Sequence, residues 1–328
     1  MGCVGSRNSV LGRISKYSIA SYEELKGLKL ALLPIDDEFD NKPGLISARQ
    51  FHNIFYDGFY APYMTNQDYL LIIDCRDETT FLDQHVLTAR WYGLISADEI
   101  TTALTRHMHI VLYDEDGSGI DEDQSPINKL FDKLQMLKLD PVCLIGGIAD
   151  VGRRAPHMLT GQSIILQEQL AALNWFPSII DDGLWQGRIE QGANSLVLHK
   201  LGITHLLTIG DTRPVLALPG MTCLTIKWSD KTNDDEVLKT IKGAVAFISK
   251  ARKQDGQVLV LGDQGVNRSA ALIMAYLMVS KQACLEDVFY YVRGLKPSAE
   301  PSSASLNILT KFERDMFGKN ITHAEDLW

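Results

Sequence analysis

The chain has 328 residues, 45% of them hydrophobic and 22% charged, and a formal net charge of −9. That composition excludes a disordered chain, and the length favours two domains over one. The acidic balance excludes a nucleic-acid binder, which needs a basic face to displace phosphate counterions, and leaves basic or peptide partners.

The first residues, Met1-Gly2-Cys3-Val4-Gly5-Ser6, fit the N-myristoylation pattern of Gly after the initiator Met with Ser four positions on. One acyl chain binds a membrane only marginally, so Cys3 matters as a site for a second, with Arg7, Arg13 and Lys16 as electrostatic help. The alternative is an accidental match at a disordered start. No signal peptide is expected, and the longest strongly apolar run, Ala270 to Val279, is short of the ~20 residues that cross a bilayer. Residues 1–40 are expected to form a tail.

From Gly44 the text alternates between helical and strand patterns. The expected order is a helix at Ser47 to Phe55, a strand at Tyr69 to Asp74, a helix at Glu78 to Gln84 and a strand at His109 to Tyr113. An acidic turn, Asp114 to Gly119, a helix at Pro126 to Leu137 and a strand at Val142 to Ile145 follow. Alternating β and α elements predict a parallel sheet covered by helices. A loose segment, Gly152 to Gln162, then leads to a second α/β domain opened by Phe176 to Ile180. Its expected elements are strand 184–186, helix 193–201, strands 205–209 and 222–227, helix 235–250, strand 257–260 and helices 269–279, 285–294 and 303–317.

Five cysteines, Cys3, Cys75, Cys143, Cys223 and Cys284, are widely spaced and include no CxxC pair, so neither a disulfide framework nor a metal site is expected. No cofactor is implied, and the pattern fits a reducing compartment such as the cytoplasm, including the cytoplasmic face of a membrane if Gly2 is acylated.

The most informative text is Val258-Leu259-Val260-Leu261-Gly262-Asp263-Gln264-Gly265-Val266-Asn267-Arg268-Ser269. A strand enters a Gly-containing loop, an Arg-Ser pair follows and an apolar helix leaves. Such a turn aims backbone amides and the positive end of a helix at one point, which suits a phosphate dianion. Arg268 can add a bidentate clamp or be held by loop acceptors as a structural arginine.

This frame resembles the dual-specificity phosphatases, whose signature is His-Cys, five residues, Arg-Ser. Gly265, Arg268 and Ser269 match, while Gly262 stands at the cysteine position and Leu261 at the histidine position. The resemblance makes Asp230 the counterpart of the family's general acid and implies phosphate binding by Gly265, Arg268 and Ser269. No cysteine lies six residues before an arginine, because the positions reached are Ser9, Phe81, Ala149, Ser229 and Tyr290. The family attacks phosphorus with a thiolate, so the expectation is a chain without catalytic residues and with Asp230 as a vestige. Asp263 is the remaining nucleophile candidate, but it lies one position late and its charge opposes a dianion.

The first half resembles the rhodanese-like domain that precedes the catalytic domain in MAP kinase phosphatases. The matching text is Leu71-Ile72-Ile73-Asp74-Cys75-Arg76-Asp77 with Phe81 and His85, then Ile110 to Asp114, then Ile145-Gly146-Gly147. The resemblance puts Asp114 where a sulfur-transferring member carries its cysteine, so sulfur transfer is not expected, and Cys75 reads as a small buried residue. It also implies kinase docking through arginines, for which the chain offers Arg90, Arg106 and Arg153-Arg154. The expected plan is α/β in both halves, a rhodanese-like domain at 41–160 and a dual-specificity-phosphatase-like domain at 172–320. Its expected role is a pseudophosphatase that binds phosphoproteins or kinases. An active phosphatase with another nucleophile, and an adaptor that binds no phosphate, stay open.

Overall fold

The computed structural model describes residues 44–56, 70–95, 109–162, 176–210, 218–229 and 231–327. Gly2, Cys3, Arg106 and Asp230, and the predicted tail at 1–40, lie outside the described residues. The chain divides into two compact units with the boundary between Phe176 and Pro177.

The unit Asp36–Phe176 is built on a five-stranded, all-parallel sheet in the order β1-β6-β5-β2-β4. The strands are β1 (Leu45–Ile46), β2 (Leu70–Asp74), β4 (Arg90–Trp91), β5 (His109–Tyr113) and β6 (Pro141–Leu144). Every residue of β2 is buried, as expected of a strand covered on both faces. Helices α1 (Ala48–Phe55), α2 (Glu78–Asp83), α3 (Pro126–Met136) and α4 (Gly147–Arg154) connect or flank them. Each of the first three starts where its sequence supplies a side-chain cap: Ser47 with Gln50 as a reciprocal capping box, Asp77, and Ser125 followed by Pro126.

The stretch expected to be loose, Gly152 to Gln162, is largely ordered structure. Gly152 to Arg154 finish α4, and Leu159–Thr160 (β7) pairs antiparallel with His85–Val86 (β3). Val151, Ala155 and Met158 are fully buried. Their spacing of four and three is helical, but intervening Gly, Arg, Pro and His residues disguise it in the sequence. The short strands β1, β3, β4 and β7 were likewise not anticipated.

The unit Pro177–Trp328 carries a second five-stranded sheet, order β11-β10-β12-β9-β8. Its strands are β8 (Ser178–Asp181), β9 (Leu184–Arg188), β10 (Ile203–Ile209), β11 (Thr222–Ile226) and β12 (Gln257–Gly262). All neighbours are parallel except β8 with β9. The helices are α5 (Ile189–Gly192), α6 (Ser195–Lys200), α7 (Asp234–Arg252), α8 (Arg268–Lys281), α9 (Leu285–Leu295) and α10 (Ser303–Phe317).

The predicted buried helix at 269–279 is the centre of this unit. Ser269 through Met278 of α8 are all buried, and α7, α9, α10 and strands β9 and β12 pack around it. Glu313 on α10 is fully buried, and its carboxylate accepts from Leu285 N (2.8 Å), Ile321 N (3.0 Å), Thr322 N (2.7 Å) and Thr322 Oγ1 (2.8 Å). One satisfied carboxylate thus ties the start of α9 and the chain after α10 to the helical layer.

Candidate anion-binding loop

The sheet order places the central strand β12 between β10 and β9, so the loop 263–267 leaves the C-terminal edge of the sheet and enters α8. Ligands of parallel α/β sheets bind at that edge. No acceptor among the described residues takes the N–H groups of Gln264, Gly265, Val266 or Asn267. Four consecutive donors are therefore left at the N-terminus of a fourteen-residue helix, a combination able to meet an anion.

Several features fix the loop, among them a hydrogen bond from Glu300 N to Val266 O at 2.9 Å. Gly265 has φ +67°, and a Cβ there would sit 2.8 Å from the Gly187 carbonyl oxygen, so conformation and space both require glycine. The Asn267 carboxamide oxygen accepts from Ser302 N (3.0 Å) and Ser305 Oγ (3.0 Å), binding the loop to the start of α10. Gln186 of β9, fully buried, donates from Nε2 to Gly265 O (2.8 Å) and to Ser269 Oγ (3.3 Å), while its Oε1 has no partner among the described residues. Burying an amide with one end unmet costs free energy. Here it fixes the loop's turn against the first turn of α8.

The predicted site residues fall around this loop as follows. A Cβ on Gly262 would lie 3.1 Å from Ser269 Oγ and 3.6 Å from Ser269 N, pointing at the helix start. A side chain at 262 would thus occupy the point on which the helix terminus converges. Leu261 is fully buried and packs into a notch of two glycines: added Cβ atoms on Gly187 and Gly192 would meet it at 3.4 and 2.2 Å. The Asp263 carboxylate is half exposed, next to Gly210, and its Oδ2 lies 3.8 Å from Arg268 Nη1. The loop's own acid thereby offsets part of its arginine's charge.

Of the remaining cysteines, Cys75, Cys143 and Cys284 are buried. Burial pushes the thiols of all three up, Cys143 to about 12. Cys223 is exposed on the edge strand β11, and burial raises its thiol too. None is a ready thiolate at neutral pH.

The corresponding edge of the first sheet is organised differently. Asp114, directly after β5, accepts from Gly117 N (2.6 Å) through Oδ1 and from Gly119 N (2.9 Å) through Oδ2. Its carboxylate thus occupies the amides of its own loop. A cavity of about 530 Å³ beside it is lined by Arg76, Asp77, Asp114, Glu115 and Asp116 among others. Arg76 is committed to Asp74 (2.8 Å) and Glu115 (2.9 Å), and Arg153 and Arg154 both pair with Asp150 on α4. Among the described residues the predicted docking arginines are therefore not gathered into one open patch: two are engaged within a helix, and Arg90 stands on β4.

A strand-loop-helix turn at the edge of a mostly parallel sheet, followed by a wholly buried helix, places the second unit among the α/β proteins whose ligands sit at a helix N-terminus. Residues 184–315 match the dual-specificity phosphatase catalytic domain. The chain is 31% identical over 156 residues to dual specificity protein phosphatase 22 of Xenopus laevis, covering 44% of this chain and 73% of that protein. It belongs to the dual-specificity protein phosphatase family. Dual specificity protein phosphatase 16 of Homo sapiens is 26% identical over 223 residues, 66% of this chain but 33% of that longer protein. Among solved structures, the human tyrosine phosphatase-like serine/threonine/tyrosine-interacting protein is 25% identical, with 42% of this chain and 95% of that one covered at a TM-score of 0.38.

Gln186 and the register of Arg188 beside Gly262 were not found from sequence. Nothing local marks a strand glutamine as a loop ligand; only the pairing of β9 with β12 brings it there.

Proposed function

We propose that this chain is a catalytically inactive member of its family, a pseudophosphatase that binds phosphorylated signalling proteins or kinases without turning them over. The observation that carries the reading is Gly262, six residues before Arg268, where the fold aims a side chain at the start of α8 and the sequence supplies none. The unmet loop amides and Arg268 keep the chemistry that holds a phosphomonoester, while the attacking atom is missing. Asp263 is a poor substitute, because it faces Gly210 and Arg268 instead of the helix terminus.

The parallel sheet of the first unit, with Asp114 after β5, supports a rhodanese-like domain that transfers no sulfur. Together the halves favour a relative of the serine/threonine/tyrosine-interacting-like pseudophosphatases. Tethering to the cytoplasmic face of a membrane through Gly2 and Cys3 is a separate proposal. A Gly2→Ala change is expected to move the protein to the soluble fraction, and unchanged partition rejects acylation.

The central test is hydrolysis of a phosphomonoester by the purified chain, together with titration of a phosphopeptide. Binding without turnover supports the pseudophosphatase. Turnover above buffer rejects it, whether it survives Asp263→Asn and Asp230→Asn or is lost with them, the latter assigning those carboxylates to an active phosphatase, and absence of binding leaves an adaptor whose loop takes no phosphate.

A further inference from the structure

We propose that Arg188 is a second cation of the anion loop and contacts the phosphoryl group of a bound phosphomonoester beside Arg268. The inference rests on the reading of this loop as a phosphate binder. Arg188 ends β9, and the register of the parallel pair β9 and β12 sets it directly alongside Gly262. Neighbouring strands are ~4.8 Å apart, well within the reach of an arginine side chain.

Strand alternation puts Gln186 and Arg188 on one face. That face is the loop's face, because the Gln186 amide touches Gly265 O and Ser269 Oγ. Gly265 lies directly over this strand end, since a Cβ there would be 2.8 Å from Gly187 O and 3.2 Å from Arg188 N. The Arg188 backbone is itself fixed, its N–H donating to Gln191 Oε1 at 2.7 Å.

Arg188 as a residue is partly buried, and its guanidinium has no ion pair or hydrogen bond among the described residues. Arg268, by contrast, has Asp263 at 3.8 Å. The charge of the loop's own arginine is therefore partly offset, and Arg188 brings a whole positive charge to the side of the loop away from Asp263, which lies against Gly210 after β10. A planar guanidinium is suited to two phosphate oxygens at once, whereas an ammonium acts as a point charge.

The experiment is titration of the full chain with a phosphotyrosine peptide, its unphosphorylated twin and inorganic phosphate, each at two salt concentrations. Variants are Arg188→Ala, Arg188→Gln and Arg188→Lys, with melting curves to verify folding. The expected result is at least tenfold weaker binding of the phosphopeptide and of inorganic phosphate by the Ala and Gln variants, with a shallower salt dependence and partial retention by Lys. Weakening for the peptide alone would assign Arg188 to the peptide chain and overturn the proposal. So would unchanged affinity in both neutral variants while the wild type binds. A wild type that binds neither phosphate ligand overturns the phosphate-binding reading and this inference together, so the two failures are distinct.

Discussion

At the scale of single residues, two neighbouring positions that look equally lost behave in opposite ways. Gly262 has no positive φ, and the atoms nearest its would-be Cβ are those of the Ser269 side chain at 3.1 and 3.2 Å, so Gly262→Cys needs a shift of a few tenths of an ångström. Its expected cost is below ~1 kcal/mol, measurable by denaturant unfolding. Leu261→His is different, because the imidazole would be buried among Gly187 and Gly192 in a fully enclosed site. A loss of ~2–4 kcal/mol is expected, from an unpaired buried polar ring and lost packing. A double revertant therefore tests the core as much as the pocket, and Gly262→Cys alone is the cleaner probe of whether a thiolate forms. Gly265→Ala should cost ~2–3 kcal/mol or displace the loop, since φ +67° and the Gly187 carbonyl both oppose a Cβ. The signature frame was legible in the sequence because its residues are contiguous. The packing of Leu261 was not, since its notch is made by residues seventy positions away.

Between strand and loop, Gln186 does for this turn what no contiguous residue can. Replacing it with Leu removes two donated hydrogen bonds but also an orphaned Oε1. The expected change in stability is therefore small, within ~1 kcal/mol, while phosphate affinity falls because Gly265 O and Ser269 lose their common anchor. Equal phosphate affinity in Gln186→Leu and wild type, measured by calorimetric titration, would count against that role. The long periodic patterns of α7 and α10 and the unbroken apolar run of α8 were readable, and so were the capped starts of α1 and α3. Two-residue strands such as β1, β3 and β7 carry no pattern of their own and exist because a neighbour pairs with them. The end of α4 was misread as a linker because polar residues interrupt the apolar spacing of Val151, Ala155 and Met158.

For the molecule as a whole, acid sensitivity should originate in the first unit. His52 on α1 is fully buried, its Nδ1 is 3.1 Å from Asn53 Oδ1 and its Nε2 is 3.0 Å from His157 Nε2. That pattern assigns the His52 proton to Nδ1 and makes Nε2 the acceptor from His157, with Tyr56 and Phe176 packed beside the pair. Burial lowers the His52 pKa to about 4 from 6.5, so the unfolded chain binds more protons between those values. Stability should be complete above pH 6.5 and decline by ~3 kcal/mol as pH falls toward 4. His52→Gln should flatten that slope in chemical unfolding across this range, whatever its effect on the level.

The Asp114 carboxylate, seated on the amides of Gly117 and Gly119, acts as a permanent internal counter-ion. The first unit is therefore expected not to respond to added phosphate, whereas the loop of the second unit has amides that no acceptor among the described residues takes. Ligand binding raises the stability only of the part that binds. Phosphate should therefore act as a calorimetric handle, raising the melting transition of Pro177–Trp328 and leaving that of Asp36–Phe176 in place. Asp114→Asn, which lowers the negative charge on that cradle, is the one change expected to give the first unit an anion response of its own.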